Sequence, residues 1–204
     1  KPNYVGDVLD TIKQYVTKDH ILITVAAGIT TSFIERKLKE NVQVVRAMPN
    51  TSCEVKESAT AIAPGRFVKK GSMDLVCSIF SSVGKVTKVE EDMLNAVTGL
   101  SGSGPAYVYL LMEAMIEAGI QSGLSESLSK ELAIQTVFGA AKMALETGES
   151  PNRLRKKVTS PGGTTMAGVK TLEAMGFSTS IIRAVDNATK RSQEMMLEHP
   201  VKAY

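Results

Sequence analysis

A chain of 204 residues, 43% of them hydrophobic and with a mean hydropathy of +0.00, is long enough for one large domain or two small ones around a soluble core. Lysine and arginine number 24 against 21 acidic residues, a net charge of +3 spread along the sequence, which leaves no footprint for nucleic acid or an anionic membrane. Cys53 and Cys77 make neither a metal pair nor a disulfide framework, and His20 and His199 stand apart, which argues against a metal site or a Ser-His-Asp arrangement. Lys1-Pro2-Asn3-Tyr4 carry no apolar signal segment and no run approaches ~20 apolar residues, so a reducing, cytoplasmic setting is expected.

In chain order, Val5, Val8, Leu9, Ile12 and Val16 recur at spacings of three and four, predicting an amphipathic helix closed by Thr17-Lys18-Asp19. Ile21–Val25 reads as a buried, parallel strand. Ala26-Ala27-Gly28 turns out of it, Thr30, Thr31 or Ser32 can cap a helix running to about Lys39, and Val42–Val45 makes the next strand. Such alternation builds a parallel sheet covered by helices, with ligands at the C-terminal ends of the strands, where the loops Ala26–Thr30 and Met48–Thr51 lie. Ser58–Ala63 is a further strand stopped by Pro64-Gly65. A helix begins at Ser72 and carries Met73, Val76, Ile79, Phe80 and Val83. After Gly84, Lys85–Val89 alternates as an edge strand does. Beyond Glu90 only helical patterns remain: Glu91–Val97, Pro105–Gly123, Ser125–Glu146, Thr165–Met175 and Ser178–Glu198. A boundary near Glu90–Glu91 would divide an α/β part, 1–90, from an all-helical part, 91–204.

Two of those helices are apolar on more than one side. Tyr107, Val108, Leu110, Leu111, Met112, Met115 and Ile116 wrap the first; Leu132, Ala133, Ile134, Val137, Phe138, Ala140, Ala141, Met143 and Ala144 wrap the second. A helix hydrophobic all round must be buried. The cover is either a second copy, giving a symmetric interlocked dimer, or a deep single-chain core with five helices around one of them.

Val158-Thr159-Ser160-Pro161-Gly162-Gly163-Thr164-Thr165 joins two helical patterns and has the composition of an anion-binding turn. Thr164 or Thr165 can cap the helix beginning at Met166, leaving first-turn N–H groups aimed outward with the positive end of the helix dipole behind them, where a small carboxylate fits. The alternative is an ordinary capped loop. Just before it, Arg153 with Arg155-Lys156-Lys157 is either a solvated helix face or local positive potential for an anionic cofactor or substrate. Arg46–Thr51 follows a strand and carries a turn-forming Pro-Asn pair. Leu100-Ser101-Gly102-Ser103-Gly104-Pro105 contains Gly-x-Gly before a helix, yet Tyr107 stands where a third glycine belongs and no strand leads in, so it is not a dinucleotide motif. Locally it is a helix start.

Leu154–Glu173 (LRKKVTSPGGTTMAGVKTLE) resembles the signature segment of the pyrroline-5-carboxylate reductases, and three further blocks agree in order: Ala26–Ile29, Arg46–Thr51 and Leu100–Tyr107. The resemblance implies the second half of a Rossmann-type parallel sheet followed by an all-α dimerisation domain, and the reduction of 1-pyrroline-5-carboxylate to L-proline by NADPH or NADH in a homodimer, which in relatives often builds a decamer of five dimers. It implies that Ser160, Gly163, Thr164 and Thr165 bind the substrate and, as the alternative to a plain helix start, that the loop Leu100–Pro105 lines the substrate pocket. In this reading the amides of Gly163, Thr164 and Thr165 hold its carboxylate and the Thr165 hydroxyl meets the ring nitrogen as the catalytic contact. It further places Lys1, Pro2, Val25, Ala26, Ala27, Gly28, Asn50, Glu91 and Lys157 at the cofactor, with no metal involved.

In one respect the chain departs from that family: no Gly-x-Gly-x-x-Gly follows a strand and opens a helix, although such a reductase needs one to cradle the pyrophosphate. The chain therefore reads as lacking the N-terminal βαβαβ half, and weak NADPH binding and slow turnover are expected of it alone. A reductase of β-hydroxyacid-dehydrogenase type is a rival, but it would want a lysine between Pro105 and Gly123, where there is none. A non-catalytic oligomerisation module is the other.

Overall fold

The computed structural model describes residues 1–38 and 41–198, so Lys39 and His199 lie outside the described residues. Helix α1 (Pro2–Ile12) opens with Pro2 in its first turn, where a missing N–H costs nothing, and turns Leu9 inward. There follow β1 (Ile21–Thr24), α2 (Thr31–Leu38), β2 (Gln43–Met48), β3 (Ser58–Pro64), α3 (Lys70–Ser81) and β4 (Gly84–Lys88). Between the first two, Thr17 donates its amide to Nδ1 of His20 at 3.1 Å, a turn contact that gives this histidine a structural use.

The strands lie in the order β1-β2-β3-β4. β1 with β2 and β3 with β4 run parallel, each pair joined through a helix, whereas β2 and β3 run antiparallel. The sheet is thus mostly rather than wholly parallel. The exception has a plain cause: residues 49–57, partly wound into a 3₁₀ turn at Thr51–Val55, are too few for a crossover of a dozen or more residues, so the chain doubles back.

Every residue of β2 is buried, and its side chains alternate between faces. Val45 and Ala47 pack with Ile62, Met73 and Val76 beneath α3. On the opposite face Val44 joins Leu9, Ile29, Ile34 and Leu38, while Met48 joins Ala61, Ala63 and Leu94. Each such aliphatic side chain contributes roughly 1.5–3 kcal/mol by leaving water. β1, expected to be buried, is an edge strand with only Thr24 buried. At the other edge, Lys85 and Lys88 on β4 discourage pairing with another strand.

No strand follows β4 among the described residues. The chain continues through α4 (Leu94–Val97), a π-helical turn (Thr98–Gly102), α5 (Gly104–Gln121), α6 (Glu126–Thr147), α7 (Pro151–Lys157), α8 (Thr164–Ala174) and α9 (Phe177–Glu198). It forms two compact units, Lys1–Pro105 with Arg183–Tyr204, and Ala106–Ile182.

Within the first unit, the last part of α9 is held against α4 and the π-helical turn. The Ser192 hydroxyl donates to Oδ1 of Asn95 at 2.9 Å, both residues being buried. A Cβ on Gly99 would collide with the Thr189 hydroxyl and lie 2.6 Å from the Val185 carbonyl, so only glycine lets the two helical backbones approach.

The second unit has almost no interior of its own. No residue of α5 is buried, and on α6 only Ser129 and Ala133 are. Small residues bring these two helices together, since a Cβ on Gly119 would lie 2.6 Å from Ser129 Oγ. The deep single-chain core is not what forms, and the apolar side chains face outward: Leu110 is 67% exposed and Phe138 56%. No helix among the described residues is long and apolar enough to cross a membrane.

Candidate functional site

The glycine-rich turn lies in the second unit, between α7 and α8. Ser150 accepts a hydrogen bond from the Arg153 amide and Pro151 sits in the first turn, which starts α7, a helix too short and basic to show an apolar period. Gly162 takes φ +73°, a conformation that favours glycine. The helix after it starts at Thr164, one residue before the predicted Thr165: Gly163 is the N-cap and makes no side-chain cap, so Thr164 and Thr165 occupy the first turn. Neither threonine is needed to cap, because glycine is itself tolerated there.

This geometry decides which donors are available. The Gly163 amide is already engaged with the Ser160 carbonyl at 3.1 Å, which removes it from the donors assigned to a carboxylate. The first main-chain bond of α8 runs from the Ala167 amide to the Gly163 carbonyl at 3.2 Å. The amides of Thr164, Thr165 and Met166 precede it and have no acceptor among the described residues, as expected for a helix start. Thr164 and Thr165 are exposed, and Ser160 folds over the turn with its Oγ 2.5 Å from where a Gly163 Cβ would stand.

The basic run beside the turn is largely spent on ion pairs. Arg153 and Lys157 share the carboxylate of Glu149, at 3.0 and 2.5 Å, and Arg155 meets Glu173 at 2.8 Å. Lys157 is therefore paired within its own unit. Arg155, Lys156 and Lys157 also sit in the last turn of α7, where they complement the negative end of the helix dipole.

In the first unit, Lys1, Pro2, Val25, Ala26 and Ala27 come together around an open hollow of about 480 Å³ between α1 and β1, floored by Leu9, Leu22 and Ile34. It lies at the C-terminal end of β1, the side of an α/β sheet where ligands bind. Gly28 has a structural claim instead: φ is +75°, and a Cβ would stand 2.9 Å from that of Met195 on α9.

Asn50 and Glu91 are both engaged by the protein. The Asn50 Oδ1 accepts from the Ser52 amide at 3.2 Å, and its Nδ2 donates to the Ser101 carbonyl at 3.0 Å. Glu91 grips the start of α2, accepting from the Thr31 amide at 2.8 Å and the Thr31 hydroxyl at 2.6 Å. It also faces Arg46, whose Nη1 lies 3.5 Å away. Thr30 completes the cap by accepting from the Phe33 amide at 3.1 Å. The Glu91 carboxylate thus occupies the anion-favouring start of α2 itself.

Arg46 was missed in the sequence except as part of a turn motif. It is wholly buried on β2, and its Nε and Nη2 have no hydrogen-bond partner among the described residues. Burial pulls its guanidinium below the ordinary pKa, against which the charge and hydrogen bond of Glu91 act. The available signal was a lone charge at an inward position of an otherwise uncharged strand, Gln43-Val44-Val45-Arg46-Ala47-Met48. No cluster of residues able to hold a metal occurs among the described residues.

Comparison with known proteins adds a family. Residues 91–195 match the family model for pyrroline-5-carboxylate reductase dimerisation. A pyrroline-5-carboxylate reductase of Methanosarcina acetivorans is 43% identical over 195 residues, covering 96% of this chain and 72% of the relative. Pyrroline-5-carboxylate reductase 1 of Bacillus subtilis is 43% identical over 96% of this chain and 66% of its own length. Among solved structures, the Coxiella burnetii pyrroline-5-carboxylate reductase superposes with a TM-score of 0.89 at 41% identity, over 95% of this chain and 73% of that one. The Plasmodium falciparum pyrroline carboxylate reductase, solved with NADP bound, gives 0.90 at 34% identity, over 96% and 78%.

Proposed function

This chain belongs to the pyrroline-5-carboxylate reductase family, and from that premise we propose that it carries the substrate turn and part of the cofactor surface for reducing 1-pyrroline-5-carboxylate to L-proline with NADPH or NADH. The observation that carries this reading is the uncommitted first turn of α8, where the amides of Thr164, Thr165 and Met166 have no acceptor among the described residues and Thr164 and Thr165 are exposed. Two or three main-chain amides at the positive end of a helix match a single carboxylate. The Thr165 hydroxyl, one residue along, serves the ring nitrogen. Gly163 contributes its lack of a side chain, and Ser160 holds the turn closed.

A bound reduced nicotinamide would supply the hydride. Lys1, Pro2 and Val25–Ala27 are the residues proposed to receive that end of the cofactor, the alanines allowing close approach, and Gly28 keeps their loop against α9. Glu91 and Lys157 reach a ligand only by giving up the pairs they hold. The chain spans 66–72% of the length of these relatives and contains no Gly-x-Gly-x-x-Gly, so NADPH is held weakly by these residues alone. Residues 1–90 serve the dinucleotide and 91–204 serve dimerisation and substrate. The assembly is a cytoplasmic homodimer, or five such dimers in a decamer.

The test is NADPH oxidation with pyrroline-5-carboxylate by the complete polypeptide containing these residues. Thr165→Ala should lower kcat/KM by the equivalent of about 1–3 kcal/mol, one hydrogen bond to a charged centre, with the fold unchanged. A variant as fast as the parent would remove Thr165 from the reaction.

A further inference from the structure

We infer that Asn50 is a positioning residue, which fixes the π-helical turn before α5 through the Ser101 carbonyl rather than by touching the cofactor. The inference rests on the reductase reading for its consequence in turnover, but its structural content stands on the hydrogen bonds alone.

In a continuing helix the carbonyl of Ser101 would accept from the amide four residues on. That residue is Pro105, which has no N–H. The π-helical turn is closed instead by the Ser103 amide, which reaches back to the Thr98 carbonyl at 2.8 Å, and the Ser101 hydroxyl donates to the Val97 carbonyl at 3.2 Å. Neither serves the Ser101 carbonyl. A partly buried main-chain carbonyl needs a donor, and the Asn50 amide supplies it at 3.0 Å from across 51 residues of sequence.

Asn50 is well placed for this because it is itself fixed on three sides. Its Oδ1 accepts from the Ser52 amide at 3.2 Å, and its own amide donates to the Ser58 hydroxyl at 3.2 Å. Ser58 is buried and lies 3.0 Å from the Thr60 hydroxyl on β3. The turn at the C-terminal end of β2 is thereby locked to the π-helical turn before α5, and a Cβ on Gly102 in that turn would stand 3.7 Å from Met48 Sδ. π-Helical turns recur at functional sites, and this one sits over the strand ends where an α/β sheet receives its ligand.

The experiment is a double-mutant cycle on the complete polypeptide with Asn50→Asp and Pro105→Ala. Asn50→Asp keeps the oxygen that caps Ser52 but replaces the donor to Ser101 with an acceptor. It should lower kcat about tenfold, the loss of one hydrogen bond, with the KM for NADPH within twofold of the parent. Amide hydrogen exchange over residues 98–104 should quicken by a similar factor. Pro105→Ala gives Ser101 back the amide its helix lacks, so in the double variant both turnover and exchange should recover most of the loss. A raised KM for NADPH with no recovery would mean that Asn50 meets the cofactor directly and would overturn the inference. Unchanged exchange in Asn50→Asp would overturn it as well. If the parent protein does not oxidise NADPH with this substrate, the reductase reading fails, while the exchange data still decide the role of Asn50.

Discussion

Glu91→Leu is expected to destabilise the first unit by about 3 kcal/mol, the low end of the cost of stripping one partner from a buried ion pair. Arg46 is fully buried and its contact with Glu91, at 3.5 Å, is its one ion pair among the described residues. Without that carboxylate the guanidinium is left charged and unmatched in the interior, and the Thr31 amide loses its cap. The converse change should behave differently. Arg46→Met removes the buried charge and two guanidinium nitrogens unsatisfied among the described residues and fills similar volume, so it should be near neutral or stabilising. Glu91, 25% exposed in its side chain, keeps water and Thr31 as partners. Urea titrations of the two variants check this asymmetry. Equal losses from both would mean that the pair contributes through mutual attraction rather than by relieving a buried charge.

Phe138→Asp is expected to abolish self-association. At about 100° per residue, Ile134, Phe138 and Leu145 form one exposed apolar stripe on α6 and Leu128, Leu132 and Met143 another, with Glu131, Gln135 and Lys142 between them. The remaining side carries Ser129 and Ala133 and is packed within the unit. Such an extent of apolar surface on one chain marks a protein interface, and the match of residues 91–195 to a dimerisation family agrees with it. A two-fold interface counts each substitution twice. Burying a phenylalanine is worth roughly 2–3 kcal/mol, so the two copies together weaken the dimer by roughly 4–6 kcal/mol, a loss of more than about a thousandfold in affinity. Sedimentation of the parent should report a dimer or a multiple of it, and of the variant a monomer or insoluble material. A monomeric, soluble parent would leave this surface without a partner.

How far the sequence could be read depends on where each cause lies along the chain. Period and composition placed the four strands and the long helices, because burial of β2 or of Met73 and Val76 is written in residue type at local spacing. The reversal between β2 and β3 follows from the shortness of residues 49–57, a feature of length that alternation alone does not weigh. Helix α7 had only its Ser150-Pro151 start to announce it. The turn at 158–165 was found, but glycine and threonine are both capping residues, and only the backbone shows that Gly163 takes the cap and engages its own amide with Ser160. Asn50 reads locally as part of a turn, and it is the family resemblance that puts it and Glu91 at the cofactor. Their partners, Ser101 and Thr31, lie 51 and 60 residues away and are brought near by topology, not by spacing.

The central claim is that free amides at the start of α8 take a small carboxylate. Its most direct test is an NMR titration of the complete polypeptide with L-proline, following the amide resonances of the turn. Saturable shifts at Thr164, Thr165 and Met166, with Gly163 moving less because its amide is already bonded, are the expected result. Resonances of that turn that stay fixed while others in the protein shift would contradict it.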